Sequence, residues 1–140
     1  MSEFSVMTME AIGASAAKLL CSVVVAKDTE LQFDIDTDAD YERFQFFFHV
    51  KLSNRFKEGL AVEEWKSKSG KRHVIVTLPQ PFSVPERIAL QSQGGSDAGR
   101  EFAALACHWD GSPHPILLFK PLMTVESAAL PEAKLEATNV

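Results

Sequence analysis

Between Arg43 and Leu52 the chain alternates without a break. Phe44, Phe46, Phe48, Val50 and Leu52 fall on one side; Arg43, Gln45, Phe47, His49 and Lys51 fall on the other. Period-two patterning with aromatic and β-branched content is that of a strand with one buried face. A helix would use Phe44, Phe48, Leu52 and Phe56 at i,i+4 spacing, but it strands Phe46 and Val50 in solvent. The pattern therefore predicts a strand.

The neighbouring segments extend the same reading. Leu31, Phe33 and Ile35 alternate with Gln32, Asp34 and Asp36, and Cys21–Ala26 is β-branched and apolar. Leu60–Leu78 reads as a hairpin closed by the three-residue loop Lys68-Ser69-Gly70, because glycine enters the left-handed region without a Cβ penalty. That loop pairs residues whose numbers sum to 138, which sets Trp65 opposite His73. Val84–Leu90 and Ile116–Phe119 are further strand candidates; Pro113, Pro115 and Pro121 place the second at an edge. Met9, Ile12, Ala16 and Leu19 recur at helical spacing. Ser96 is placed to cap a helix with Phe102, Leu105, Ala106 and Trp109 on one face, with a strand the alternative over residues 97–109.

The expected fold is thus mainly β: an antiparallel sandwich or partly open barrel of six to eight strands, with one or two short helices. The 140 residues, 46% of them hydrophobic, are read as one domain with a packed core, 1–140, its end from about residue 126 an extended tail. No apolar run approaches the ~18 residues of a membrane-spanning helix. The first basic residue is Lys18, so no secretory signal is read and a cytoplasmic protein is expected. Cys21 and Cys107 sit in apolar settings and read as buried thiols, with a disulfide between them left open.

Charge is segregated. Residues 1–42 carry a net −7, residues 43–72 a net +5 and residues 73–140 a net −3, together the overall −5. The acidic part holds the ladder Asp34, Asp36, Asp38, Asp40 and Glu42. A calcium loop would need glycine where Ala39 stands and glutamate where Gln45 stands, so the ladder reads as a solvated strand and turn. The basic part interleaves cations with aromatics: Arg43, Phe47, His49 and Lys51 on the polar face of one strand, then Trp65, Lys66, Lys68, Lys71, Arg72 and His73 on the hairpin. Cys107, His108, Asp110 and His114 fit no structural zinc spacing, and no cofactor is expected. Phosphate-loop, serine-elbow and zinc-protease motifs are absent.

Three functions follow as expectations. The leading one is a non-enzymatic interaction or assembly protein, binding partners or itself through the aromatic-basic sheet face and the acidic strand. The bland account of that face is a sheet packed on both sides, with Phe47 and Trp65 in a second small core. Pairing of the acidic strand with the basic hairpin, within one molecule or between two, would also explain the segregation. The second is single-stranded nucleic-acid binding, with Phe47 and Trp65 stacking and the lysines meeting phosphates. The third is a metal-dependent enzyme, or a cysteine enzyme using Cys107 with His49, His73 or His114 as base.

Overall fold

A computed structural model describes Ile12, residues 21–67 and residues 69–121. The first sheet pairs β1 (Cys21–Val25) with β5 (Leu117–Pro121), antiparallel. The second holds β2 (Glu30–Ile35), β3 (Ala61–Lys66) and β4 (Arg72–Thr77) in the order β2-β4-β3, again antiparallel. Three helices accompany them among the described residues: α1 (Asp38–Phe46, continued below), α2 (Val84–Gln93) and α3 (Ala98–Trp109). Helix outweighs strand, roughly 41% to 26%, so the expected mainly β sandwich or barrel is corrected to a mixed α+β fold.

The largest correction falls on residues 43–52, which are helical. Thr37, in extended backbone, caps α1 by accepting from the Asp40 N–H at 3.1 Å. Asp38 and Asp40 occupy the first turn, where the helix dipole favours negative charge. Beyond Phe46 the helix widens into a π-helical stretch, Phe47–Leu52, and ends in a last turn, Ser53–Arg55. An α-helix advances about 100° per residue, so a four-residue repeat drifts round it by about 40° per step. The wider π turn advances less and offsets that drift. Phe44, Phe48, Leu52 and Phe56 thereby stay against one core, with Phe47 added to it. The objection to a helix is physically sound, since Phe46 and Val50 do stand in solvent, 59% and 41% exposed. It does not decide the outcome, because burying Phe47 and its neighbours outweighs two exposed side chains.

The hairpin folds as its turn chemistry dictates. β3 and β4 pair with numbers summing to 138, Trp65 facing His73. Gly70 takes φ 88°, and its N–H donates to Ser67 O at 2.9 Å. Leu31, Phe33 and Ile35 of β2 and Val74 and Val76 of β4 turn onto the core beneath α1. There the Phe33 ring meets Phe44 edge-on, centroids 4.9 Å apart, and Phe47 at 6.1 Å. Gly94, just past α2, lets those rings close in; a Cβ there would lie 2.6 Å from Phe33 and 2.8 Å from Phe47.

Two further helix readings are adjusted. Val84–Leu90 is the helix α2, not a strand, opened by a reciprocal capping box between Ser83 and Glu86 with Pro85 in its first turn. α3 is the helix of the two readings open for residues 97–109, and Asp97 rather than Ser96 caps it. Its buried side holds Glu101 and Ala104, while Phe102 and Trp109 are exposed. The helix read over Met9–Leu19 lies outside the described residues except for Ile12, as does the tail from residue 126. No helix among the described residues is long and apolar enough to cross a membrane.

Side chains of α2, α3 and the turn between them close the outer edge of β2. Gln32 N–H donates to Gln91 Oε1 at 2.8 Å and Asp34 N–H to Ser96 Oγ at 3.0 Å. In return Asp34 O accepts from Asp97 N–H at 2.7 Å, and Gln32 O from Arg100 at 2.8 Å. The edge is covered without another strand. Glu101, buried behind it, accepts from Gln91 Nε2 at 2.8 Å, from Ser96 Oγ at 2.6 Å and from Arg100.

Candidate functional site

The basic-aromatic residues of the middle segment are separated by the helix that forms there. Every fourth residue of α1 and its extension falls in one row, Arg43, Phe47, Lys51, Arg55, and this row faces the end of α2. Arg43 caps α2, donating to Gln93 O at 3.1 Å and Ser92 O at 3.4 Å. Phe47, 2% exposed, is a core residue. Further along, the row opens over a cleft of about 250 Å³ lined by Phe47, Lys51, Leu52, Arg55, Phe56, Phe82, Leu90 and Gln93.

The floor of this cleft is apolar and its rim is cationic. Phe56 meets Phe82 edge-on at 6.1 Å, and the Arg55 guanidinium lies 5.3 Å from the Phe56 ring centroid. Among the described residues neither Lys51 nor Arg55 has a carboxylate within ion-pair distance. Phe46 and Val50 lie one residue back in each turn, so an exposed apolar row runs alongside this rim. His49, also exposed, sets its ring edge-on to Phe48 at 5.1 Å. The cleft lining contains no His, Cys, Ser, Asp or Glu; its charged groups are Lys51 and Arg55, set over an apolar seat.

Lys71, Arg72 and His73 of the hairpin are engaged elsewhere. Lys71 Nζ lies 3.3 Å from Asp36, His73 Nε2 3.2 Å from Asp34, and Arg72 stacks its guanidinium 4.1 Å over Tyr41 while reaching Glu64 at 3.9 Å. Acidic strand and basic hairpin therefore meet within one molecule, through the β2–β4 ladder. Trp65 is half-buried and donates to Phe119 O at 3.3 Å, with Lys120 5.0 Å from its ring. Lys66 is exposed on β3, and Lys68 lies outside the described residues. Asp38, Asp40 and Glu42 line the start of α1 instead of continuing a strand. With Phe47 in the core and Trp65 occupied by β5, the expected aromatic sheet face is not assembled.

Burial pushes the Asp34 carboxyl up, but the hydrogen bond and charge of His73, then the charges of Arg100 and Lys71, outweigh it and hold its pKa below the ordinary value. For Asp36, burial, the hydrogen bond from Asp97 and the charges of Asp34 and Asp97 outweigh Lys71 and raise it. Among the described residues no three His, Cys, Asp or Glu side chains gather as a metal site.

Sequence reasoning missed Phe46, Val50 and Arg55 as surface residues of one site. The signal was present: Lys51 and Arg55 are four apart, and a threonine cap followed by two aspartates precedes the segment. Comparison with protein-family models, with curated proteins and with solved structures gave no match for the chain.

Proposed function

We propose that the protein is a non-enzymatic interaction module that seats an acidic segment of a partner protein on the outer surface of α1. A bulky apolar side chain of the partner enters the cleft, and flanking carboxylates meet Lys51 and Arg55. Phe46 and Val50 provide the apolar border. The observation that carries the reading is the pair of cations with no carboxylate partner among the described residues, at the mouth of an apolar cleft. Most other charges of the middle segment are satisfied within the fold, whereas these two flank a place where apolar side chains leave room for a guest. Partner-binding helices commonly offer this combination of apolar anchor sites and complementary charge.

Panning a library of displayed short peptides against the full chain tests it. Enrichment of peptides with Phe, Leu, Trp or Met beside Asp or Glu is expected, along with their loss on the double variant Lys51→Glu/Arg55→Glu. Equal retention by that variant, or enrichment without acidic residues, overturns the assignment.

A further inference from the structure

The three-stranded sheet has two edges, and the molecule treats them differently. The β2 edge is closed by Gln91, Ser96, Asp97 and Arg100, as described above. On the other side, Ser67 N–H donates to Lys71 O at 2.7 Å, and antiparallel ladders alternate, so Ala61, Glu63 and Trp65 turn their backbone groups toward β4. Val62, Glu64 and Lys66 turn theirs outward, and no described residue bonds to them. Val62 is 47% exposed beside this open row. Unpaired donors and acceptors along a strand are a template for another strand.

We propose that the occupant is β3 of a second copy of the chain, paired antiparallel about a two-fold axis to form a continuous six-stranded sheet. Geometry and charge together select its register. Outward backbone groups must oppose outward backbone groups, so the numbers of paired residues sum to an even value. Sums of 126, 128 and 132 place Glu63, Glu64 or Lys66 against its own counterpart, like charge on like. A sum of 124 sets Glu63 against alanine and Glu64 against leucine, and joins no opposite charges within Ala61–Lys66. A sum of 130 sets Glu64 against Lys66 of the second copy, twice by symmetry, and brings the two Trp65 residues together at the axis. Opposite charges and aromatic pairs directly across a ladder are favourable, and like charges are not. The usual edge-blocking charges here become complementary in this one register. This surface lies apart from the α1 cleft and stands or falls independently of it.

Sedimentation velocity on the full chain, from low- to high-micromolar concentration, measures the association. Glu64→Lys and Lys66→Glu each put like charges opposite at both contacts, so each alone is expected to weaken dimerisation about tenfold. Mixed in equal amounts they are expected to associate again, because the introduced lysine then faces the introduced glutamate. Lys66→Pro removes an outward N–H that the monomer does not use and is expected to abolish the dimer while leaving the fold intact. Should Glu64→Lys fail to fold, having lost the Tyr41 hydroxyl and Arg72 as partners, Lys66→Pro is the deciding variant. A wild-type chain that stays monomeric throughout, or a dimer that survives Lys66→Pro, overturns the proposal.

Discussion

Trp65 and His73 stand opposite one another across the β3–β4 ladder, ring centroids 5.7 Å apart and planes at 85°, and both rings reach the same backbone carbonyl of Phe119. That oxygen only accepts, so the His73 Nδ1 contact at 3.1 Å places the hydrogen on the ring. One carbonyl of β5 is thus a point where the two-stranded sheet docks on the three-stranded one, with the Lys120–Glu63 ion pair beside it and the Gln32 Nε2 donation to Val24 O at 3.1 Å joining β2 to β1.

Trp65→Phe keeps an aromatic ring against His73 and removes only the Nε1 donor. It is expected to cost about 1 kcal/mol, the net worth of one part-buried hydrogen bond. Hydrogen exchange is expected to rise in β1 and β5 before it rises in β2 and β4, since the docking contact is local. Uniform acceleration across both sheets would show that the contact is not a separate hinge of stability.

Asp34 and Asp36 lie two residues apart and respond to pH in opposite senses. Asp34 is held below the ordinary carboxylate value, so its contribution is complete above about pH 4 and is lost as pH falls through its lowered folded value. Asp36 is raised, so the folded state binds its proton more tightly than the unfolded chain does. Its contribution is complete below about pH 4 and is lost as pH rises through the raised folded value. Asp34→Asn is therefore expected to destabilise at neutral pH, with a penalty that shrinks in acid. Asp36→Asn is expected to stabilise at neutral pH, with a gain that disappears in acid. Urea midpoints measured in steps from neutral pH to about pH 3 separate the two, and pH-independent effects of either substitution would contradict the assignment.

Glu101 is buried and fully partnered, and through Gln91, Ser96 and Arg100 it organises the side chains that seal β2. Glu101→Ala leaves the Arg100 guanidinium without its carboxylate in a mostly buried position. About 3 kcal/mol of stability is expected to be lost, because removing one member of a buried pair leaves the other charge uncompensated. Glu101→Gln, which preserves shape and one acceptor, is expected to lose less. Chemical denaturation of both variants checks the order.

What could be read in the sequence was what is decided locally. The β3–β4 register follows from Gly70 and the flanking alternation, and both are confined to residues 60–78. Residues 43–52 defeated the same logic because four phenylalanines in five positions satisfy period two and period 3.6 at once. The deciding features were Thr37 with its following aspartates and the distant surface of Phe33 and Val74 that the helix covers. α2 announced itself by Ser83, Pro85 and Glu86, but the apolar Val, Ile and Leu that follow suit a strand equally well. The cleft was beyond local reading, since its walls come from residues 47–56 and 82–93, which only the folded chain brings together. Nor does the sequence say which lysines find carboxylates: Lys71 does because β2 and β4 are neighbours, whereas Lys51, in a row that faces the end of α2, meets none among the described residues.

Gly94 joins these distant parts. Its φ of −89° is open to any residue, so alanine there would ordinarily stabilise by about 0.4–1 kcal/mol through the unfolded chain. The added methyl would instead lie 2.6 Å from Phe33 and 2.8 Å from Phe47, both core rings with little room to retreat. Overpacking costs of about 1–3 kcal/mol exceed the entropic gain, so Gly94→Ala is expected to be destabilising on balance. Because Phe47 also lines the cleft, the same substitution is expected to change peptide binding at Lys51 and Arg55 in parallel. A stabilising Gly94→Ala, measured by urea unfolding, would mean that α2 can slide away from α1 without loss, and that the cleft between them is not held at a fixed width.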